Sequence, residues 1–336
     1  LDLGAVRIGA GESAELEQTF DFPGIEPWSG EHPKLYKLQM QLFPDTALQA
    51  TDDLIERVGF RTVAVQGGQI LLNGKPVFLR GFCRHEDFGV VGCAIPLQLM
   101  VKDVDLMQQM GANSVRTSHY PNDERFLDLC DERGIFVWEE SHARGLSREQ
   151  MQNPNFMPQS LDCIDEMIHH HFCHPCILIW ALLNECASDS CRDMYKRLIS
   201  EIRSLDGSRP VSFATCKFDS DICLDLPDIV SYNLYYGWYN DDDIAKAYPK
   251  QLAYIEAHGG AGKPVIISEF GADAVYGIRD PARPRWSEEC QSDILDRCLD
   301  YYMHRPEIVG TYIWQYADCR VTNESKWYMT RPGTRN

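Results

Sequence analysis

Two glutamates in this 336-residue chain stand directly behind apolar runs, and their type and setting suit them to act as a pair. Glu185 follows Ile177-Leu178-Ile179-Trp180-Ala181-Leu182-Leu183-Asn184, and Glu269 follows Pro264-Val265-Ile266-Ile267-Ser268. Two carboxyl groups about 5–5.5 Å apart can carry out substitution at a sugar's anomeric carbon with retained configuration, one attacking and the other moving a proton. Mutual repulsion and partial burial would raise the pKa of whichever stays protonated. Further polar clusters close other apolar runs: Arg84-His85-Glu86-Asp87, Arg116-Thr117-Ser118-His119-Tyr120, Glu139-Glu140, Asn233-Leu234-Tyr235-Tyr236 and Trp314-Gln315-Tyr316-Ala317-Asp318. Carboxylates, imidazoles, a guanidinium and aromatic rings together suit a carbohydrate, whose C–H faces stack on rings. On position alone, a salt bridge at a rim explains each glutamate as well as catalysis does.

The elements that must position these groups follow a strand–helix rhythm. Apolar β-type runs occur at Val77–Phe82, Ser114–Ser118, Ile135–Trp138, Ile177–Leu183, Val211–Ala214, Ile229–Tyr236, Val265–Ser268 and Ile308–Tyr316. Between most of them apolar residues recur at helical spacing, as in Met100, Val101, Val104, Met107 and Met110, or Leu161, Ile164, Ile168 and Phe172, and residues 286–304 form a third case. Eight buried strands with intervening helices predict a (β/α)8 TIM barrel, in which chemistry sits at the C-terminal ends of the strands. A doubly wound sheet is the alternative, but no Gly-rich phosphate turn follows the first strand. The connection between the fifth and sixth strands looks short and poorly helical.

The first seventy residues read as all-β, with alternating runs at Leu35–Met40 and Arg61–Val65. Asn73-Gly74 lies between two apolar runs, a hairpin signal. The domain boundary is placed there, dividing residues 1–70 from a barrel over 71–336.

Composition bounds the partners. Lys and Arg number 32 against 50 Asp and Glu, a net charge of −18. Counterion release from a phosphate backbone needs clustered cations, so a nucleic-acid partner is not expected. No run approaches the 18 or so apolar residues of a membrane span. The 13 cysteines are odd in number and irregularly spaced, which argues against a disulfide framework and for a reducing, cytoplasmic setting. The chain opens Leu1-Asp2-Leu3 without Met, as expected if it begins inside a longer protein.

With these residues in view, the chain resembles glycoside hydrolase family 2, from about Trp28 to Arg331, and within it the β-glucuronidase branch. The motifs are Arg84-His85-Glu86-Asp87, Arg116 to Pro121, Asn184-Glu185 and Ser268-Glu269-Phe270-Gly271-Ala272-Asp273. Tyr235-Tyr236-Gly237-Trp238-Tyr239 and Trp286-Ser287-Glu288-Glu289 point more narrowly to the branch. The resemblance implies Glu185 as acid/base and Glu269 as nucleophile of a retaining exo-β-glycosidase that needs no metal or organic cofactor. It also implies a homo-oligomer when full length. Beside it, Asn184 is suited to bond the sugar 2-OH, Tyr235 to touch and aim Glu269, and Trp314 to floor the sugar. Tyr239, His85 and His119 are further candidates for substrate contact. Arg116 and Glu140 are expected to buttress the glutamates.

The branch is similar in carrying an Asn-x-Lys motif that grips the uronate carboxylate, with an Arg upstream. Anchored on Thr330-Arg331, this chain offers Arg320 and Lys326, while the Asn position falls on Glu324. A bare carboxylate there would repel a uronate, so Glu324 either pairs with Arg320 or Lys326 or reads a hydroxyl of another sugar, such as an axial 4-OH. Asn323 fills the role in an alternative alignment. A β-galacturonidase or β-galactosidase is therefore the rival within the family, and an inactive carbohydrate-binding fragment the rival outside it. Residues 1–70 resemble only the later part of the family's immunoglobulin-like sandwich. Counterparts of its sugar-binding jelly roll and of a helix after the eighth strand are not expected here. A short loop over 145–160 suggests an open aglycone site. The run His169-His170-His171-Phe172-Cys173-His174-Pro175-Cys176 carries zinc-type donors, but no second pair at finger spacing completes a site, so core and helix-end roles are expected.

Overall fold

A computed structural model describes residues 1–44 and 47–321 and the short strand Thr334–Arg335. Two small antiparallel sheets come first. Strands β1 (Tyr36–Leu42) and β2 (Asp52–Val58) pair along their whole length, and β3 (Val63–Gln66), β4 (Gln69–Leu72) and β5 (Lys75–Val77) form a second sheet. The Asn-Gly hairpin is present: Asn73 and Gly74 both have positive φ, 50° and 76°, between β4 and β5. That geometry matches the twist of the strands it joins.

The next eight strands close into a parallel barrel in sequence order. They are β6 (Leu79–Arg84), β7 (Ser114–Thr117), β8 (Phe136–Glu140), β9 (Ile177–Asn184), β10 (Val211–Thr215), β11 (Val230–Asn233), β12 (Val265–Phe270) and β13 (Ile308–Ile313). Closure is made by β13 against β6, with Gly310 beside Leu79. All eight residues of β9 are buried, as a strand covered on both faces requires. Its near-continuous apolar sequence has that cause.

Helices α1 (Leu97–Gln109), α2 (Glu124–Arg133), α3 (Arg148–Met151), α4 (Phe156–His171), α5 (Arg192–Leu205), α6 (Ile244–Ile255) and α7 (Glu288–Met303) cover the outside. Met100, Val104 and Met107 are the buried stripe of α1. Met110 and Phe172 continue the apolar spacing by one step, yet fall past the ends of α1 and α4 and are exposed. Asp243 caps α6 by accepting from the Ala245 N–H, which accounts for the acidic run before it. Residues 216–229, between β10 and β11, hold no helix. After the barrel, β14 (Cys319–Arg320) pairs with β15 (Thr334–Arg335).

Trp28 ties the N-terminal segment to the N-terminal end of the barrel. It is fully buried, and its indole N–H donates to the Asp131 carbonyl at 2.9 Å, while its own carbonyl accepts from Asn73. Gly134 ends α2 with φ 68°, and a Cβ there would lie 2.2 Å from the Gly30 carbonyl oxygen. Only glycine meets both demands. All thirteen cysteines are free thiols. Among the described residues, no helix is long and apolar enough to cross a membrane.

Candidate active site

The C-terminal ends of the barrel strands open onto a cavity of about 620 Å³. Glu185, just past β9, and Glu269, within β12, both line it, together with Asn184, His119, Tyr235, Tyr239 and Trp314. Beneath this surface Arg116, on β7, is fully buried and holds the site together. Its guanidinium donates to Glu269 Oε1 (2.9 Å), to Asn184 Oδ1 (2.8 Å), to the Ser268 carbonyl (2.9 Å) and to Glu140 through Nε (2.9 Å). One planar cation thus fixes four groups from three other strands, β8, β9 and β12, a use that needs the fork geometry of arginine.

Glu269 is held at both oxygens, because Tyr235 donates its hydroxyl to Oε2 at 2.7 Å. His119 Nδ1 lies 2.5 Å from Glu140 Oε1, which assigns its proton to that bond and leaves Nε2 3.8 Å from Glu269. Burial alone would raise the Glu140 carboxyl, but Arg116 and His119 hold it below the usual carboxylate range. Burial raises the Tyr235 phenol well above its usual value, and the Glu269 charge adds to this, so it remains a donor.

Glu185 has the opposite surroundings. Among the described residues it accepts one hydrogen bond, from Asn233 Nδ2 at 2.7 Å, and Asn233 is oriented by Ser268 Oγ donating to its Oδ1 at 2.7 Å. Burial pushes the Glu185 carboxyl up, and the Glu269 charge pushes it further. The same residue sits at φ 53°, in the left-handed region that a glutamate occupies at a cost of about 1–3 kcal/mol. The two carboxyls thus share one cavity in contrasting surroundings, Glu269 braced by a guanidinium and a phenol and Glu185 buried with its pKa raised.

Gly271 explains the Glu-Phe-Gly spacing. Its φ is 148°, and a Cβ would fall 2.5 Å from the Trp314 carbonyl oxygen. The absence of a side chain lets the Trp314 backbone close against the Glu269 strand end. Trp314 then stacks on His119, centroids 5.2 Å apart and planes 14° from parallel.

The sequence-predicted residues divide into groups. Asn184, Glu185, Glu269, His119, Tyr235, Tyr239 and Trp314 share the main cavity, and Arg116 and Glu140 lie under it. His85 and Arg320 line an adjoining cavity of about 230 Å³ instead. His85 Nδ1 meets the Tyr120 hydroxyl at 3.2 Å, and the Arg320 guanidinium donates to the Gly89 carbonyl at 2.7 Å. Asn323, Glu324 and Lys326 lie outside the described residues. Sequence reasoning named Asn233 in the cluster at a strand end but gave it no role. It missed Arg144, Cys216 and Phe218, loop residues that line the main cavity without a motif to mark them.

The zinc-type run ends α4 and leads into β9. His171 bonds Glu139 at 2.9 Å, and His174 bonds Asp131 at 2.6 Å. Asp131, His174 and Cys176 are buried with donor atoms within 4.8 Å of one another. Both Asp131 oxygens are already used, the second by the Cys176 N–H at 2.9 Å.

Known proteins share this architecture. Residues 63–331 match the family model of glycosyl hydrolases family 2, TIM barrel domain. The chain is 35% identical to β-glucuronidase of Felis catus over 88% of its own length and 46% of the relative's. It is 33% identical to that of Homo sapiens over 97% and 52%. It therefore spans about half the length of the curated relatives it matches. Among solved structures, a β-galacturonidase from Eisenbergiella tayi bound to galacturonate has TM-score 0.90 and 48% identity, covering 96% of this chain and 57% of that one. A Bifidobacterium dentium β-glucuronidase complexed with coumarin-3-O-glucuronide has TM-score 0.86 and 33% identity, over 93% and 51%.

Proposed function

The chain belongs to glycosyl hydrolases family 2, and from that premise we propose that it is the catalytic part of a retaining exo-β-glycosidase acting on terminal β-D-glucuronides. The observation that carries this reading is the asymmetry of its two carboxyls. Glu269 is gripped at both oxygens by Arg116 and Tyr235, while Glu185 is buried with its pKa raised in the same cavity.

Glu269 attacks the anomeric carbon as the bond to the leaving oxygen breaks, and Glu185 gives that oxygen its proton. Each Glu269 oxygen accepts one hydrogen bond, so a lone pair remains for attack. Once the glycosyl ester has formed, the Glu269 charge is gone, and with it one of the forces that raised Glu185. Its pKa then falls, and it takes a proton from the water that cleaves the ester. Asn184 has its oxygen occupied by Arg116 and Asn233, leaving the amide NH2 for a sugar hydroxyl. Trp314 supplies the floor. No step needs a metal or organic cofactor.

The higher identity to a β-galacturonidase supports a second reading, in which the sugar is galacturonide. We read residues 1–70 as part of an immunoglobulin-like sandwich and residues 71–336 as the barrel domain. The test is a parallel assay on aryl β-D-glucuronide, β-D-galacturonide and β-D-galactoside, with the first-formed anomer read by NMR. Turnover of a uronide with retained configuration is expected. Activity on the galactoside alone would sink the uronate reading, inversion would sink the mechanism, and turnover of none would favour a carbohydrate-binding fragment.

A further inference from the structure

We propose that Arg144 reads the negatively charged end of the substrate and so determines specificity for a sugar acid over its neutral counterpart. This rests on the uronide reading above and names the residue that enforces it.

A hexuronate carries its carboxylate on C5, joined to the anomeric carbon through the ring oxygen and projecting outward from the ring, so a group that recognises it must line the catalytic cavity beside the sugar rather than under the bond that breaks. Arg144 and Trp314 line both the main cavity and the adjoining one, and Arg144 is the Lys or Arg of the main cavity among the described residues. The charges acting most on Glu185 are those of Glu269, His119 and Arg116.

Among the described residues, the other arginines near the site are engaged. Arg116 is saturated by Glu140, Glu269 and Asn184, and the Arg320 guanidinium is directed at the Gly89 carbonyl. Arg144, in contrast, is exposed, and its side chain makes no hydrogen bond or ion pair among the described residues. Its backbone is nonetheless fixed. The Gly145 N–H donates to the Asn184 carbonyl and the Asn184 N–H to the Ala143 carbonyl, both at 2.8 Å, so that Arg144 lies abreast of Asn184. Its Cα is held beside Asn184 while its guanidinium keeps its N–H groups available to meet a carboxylate with two parallel bonds. In a chain of net charge −18 such a local cation is also what an anionic sugar needs in order to enter.

The test compares Arg144→Met, Arg144→Lys and the wild type on each aryl β-D-uronide and on its uronamide, in which a neutral amide replaces the carboxylate at nearly the same size. Competitive inhibition by free uronate and by uronamide extends the comparison to slowly turned-over sugars. Arg148→Met, an exposed arginine one turn beyond the site, is the control and should behave as wild type. The wild type should prefer the acid. In Arg144→Met that preference should fall on the order of a hundredfold, chiefly through KM, and Arg144→Lys should recover part of it. An undiminished preference in Arg144→Met would overturn the assignment to Arg144 while leaving the uronide reading intact. A wild type indifferent to the charge would overturn both.

Discussion

Adjacent residues on one strand build two different His–carboxylate clusters in this molecule. Glu140 faces the barrel mouth, where it joins Arg116, His119 and Glu269. Glu139 is turned the other way and bonds His171 at the end of α4, beside the His174–Asp131–Cys176 group. Both clusters pair histidine with buried carboxylates. The difference is what lies next to them: the first borders a cavity of about 620 Å³ that a sugar can enter, and the second lies between the end of α4 and β9, away from that cavity. Strand alternation, a period of two residues, decides which glutamate supports chemistry and which supports the fold. Residue type alone does not.

Substitutions at the two clusters should separate rate from stability. The largest effect is expected from Glu269→Gln, which removes the attacking oxygen and should lower kcat by about 10⁴-fold or more with folding unaffected. Retention of a tenth of the activity would move the nucleophile elsewhere. Glu185→Gln should cost about 10²–10⁴-fold on substrates with poor leaving groups and much less on activated aryl glycosides. Because Glu185 must be protonated to act and its pKa is raised, kcat/KM of the wild type should fall on the alkaline side as pH rises through that pKa. The limb should vanish in Glu185→Gln. An unchanged limb would remove Glu185 as the acid.

The second cluster should respond in stability instead. Asp131→Ala leaves His174 and the Cys176 N–H without their acceptor, and a loss of about 2–4 kcal/mol in denaturant unfolding is expected, with kcat of the remaining folded enzyme nearly unchanged. A large fall in kcat would mean that the clusters are coupled. The smallest effect concerns His171. Burial lowers its pKa, but the Glu139 hydrogen bond and charge outweigh this and raise it. A raised folded pKa means that the protonated pair stabilises fully below the unfolded value of about 6.5 and that this contribution fades as pH rises through the folded pKa. The Tm penalty of His171→Ala should therefore be greater at pH 5.5 than at pH 8.

Much of this was legible before the fold was known. Eight apolar runs marked eight barrel strands because a strand buried on both faces must be apolar throughout, and the chemistry-bearing residues stood at their ends for the same reason. Helix ends were less legible. Met110 and Phe172 keep the apolar spacing, but exposure past the last turn is decided by where the chain leaves the barrel. Arg144 gave no signal, since an arginine in a loop looks like any solvated arginine until the Asn184 backbone is seen beside it.

The sequence by itself determined the barrel and the family and pointed to Glu185 and Glu269, because each rests on residue types within short segments of the chain. Tertiary structure decided the division of labour. It set Arg116 and Tyr235 on Glu269, left Glu185 with one neutral donor, and placed Arg144 across two cavities. These are contacts between residues tens to more than a hundred positions apart. Their electrostatics depend on distance and burial, which no local pattern encodes.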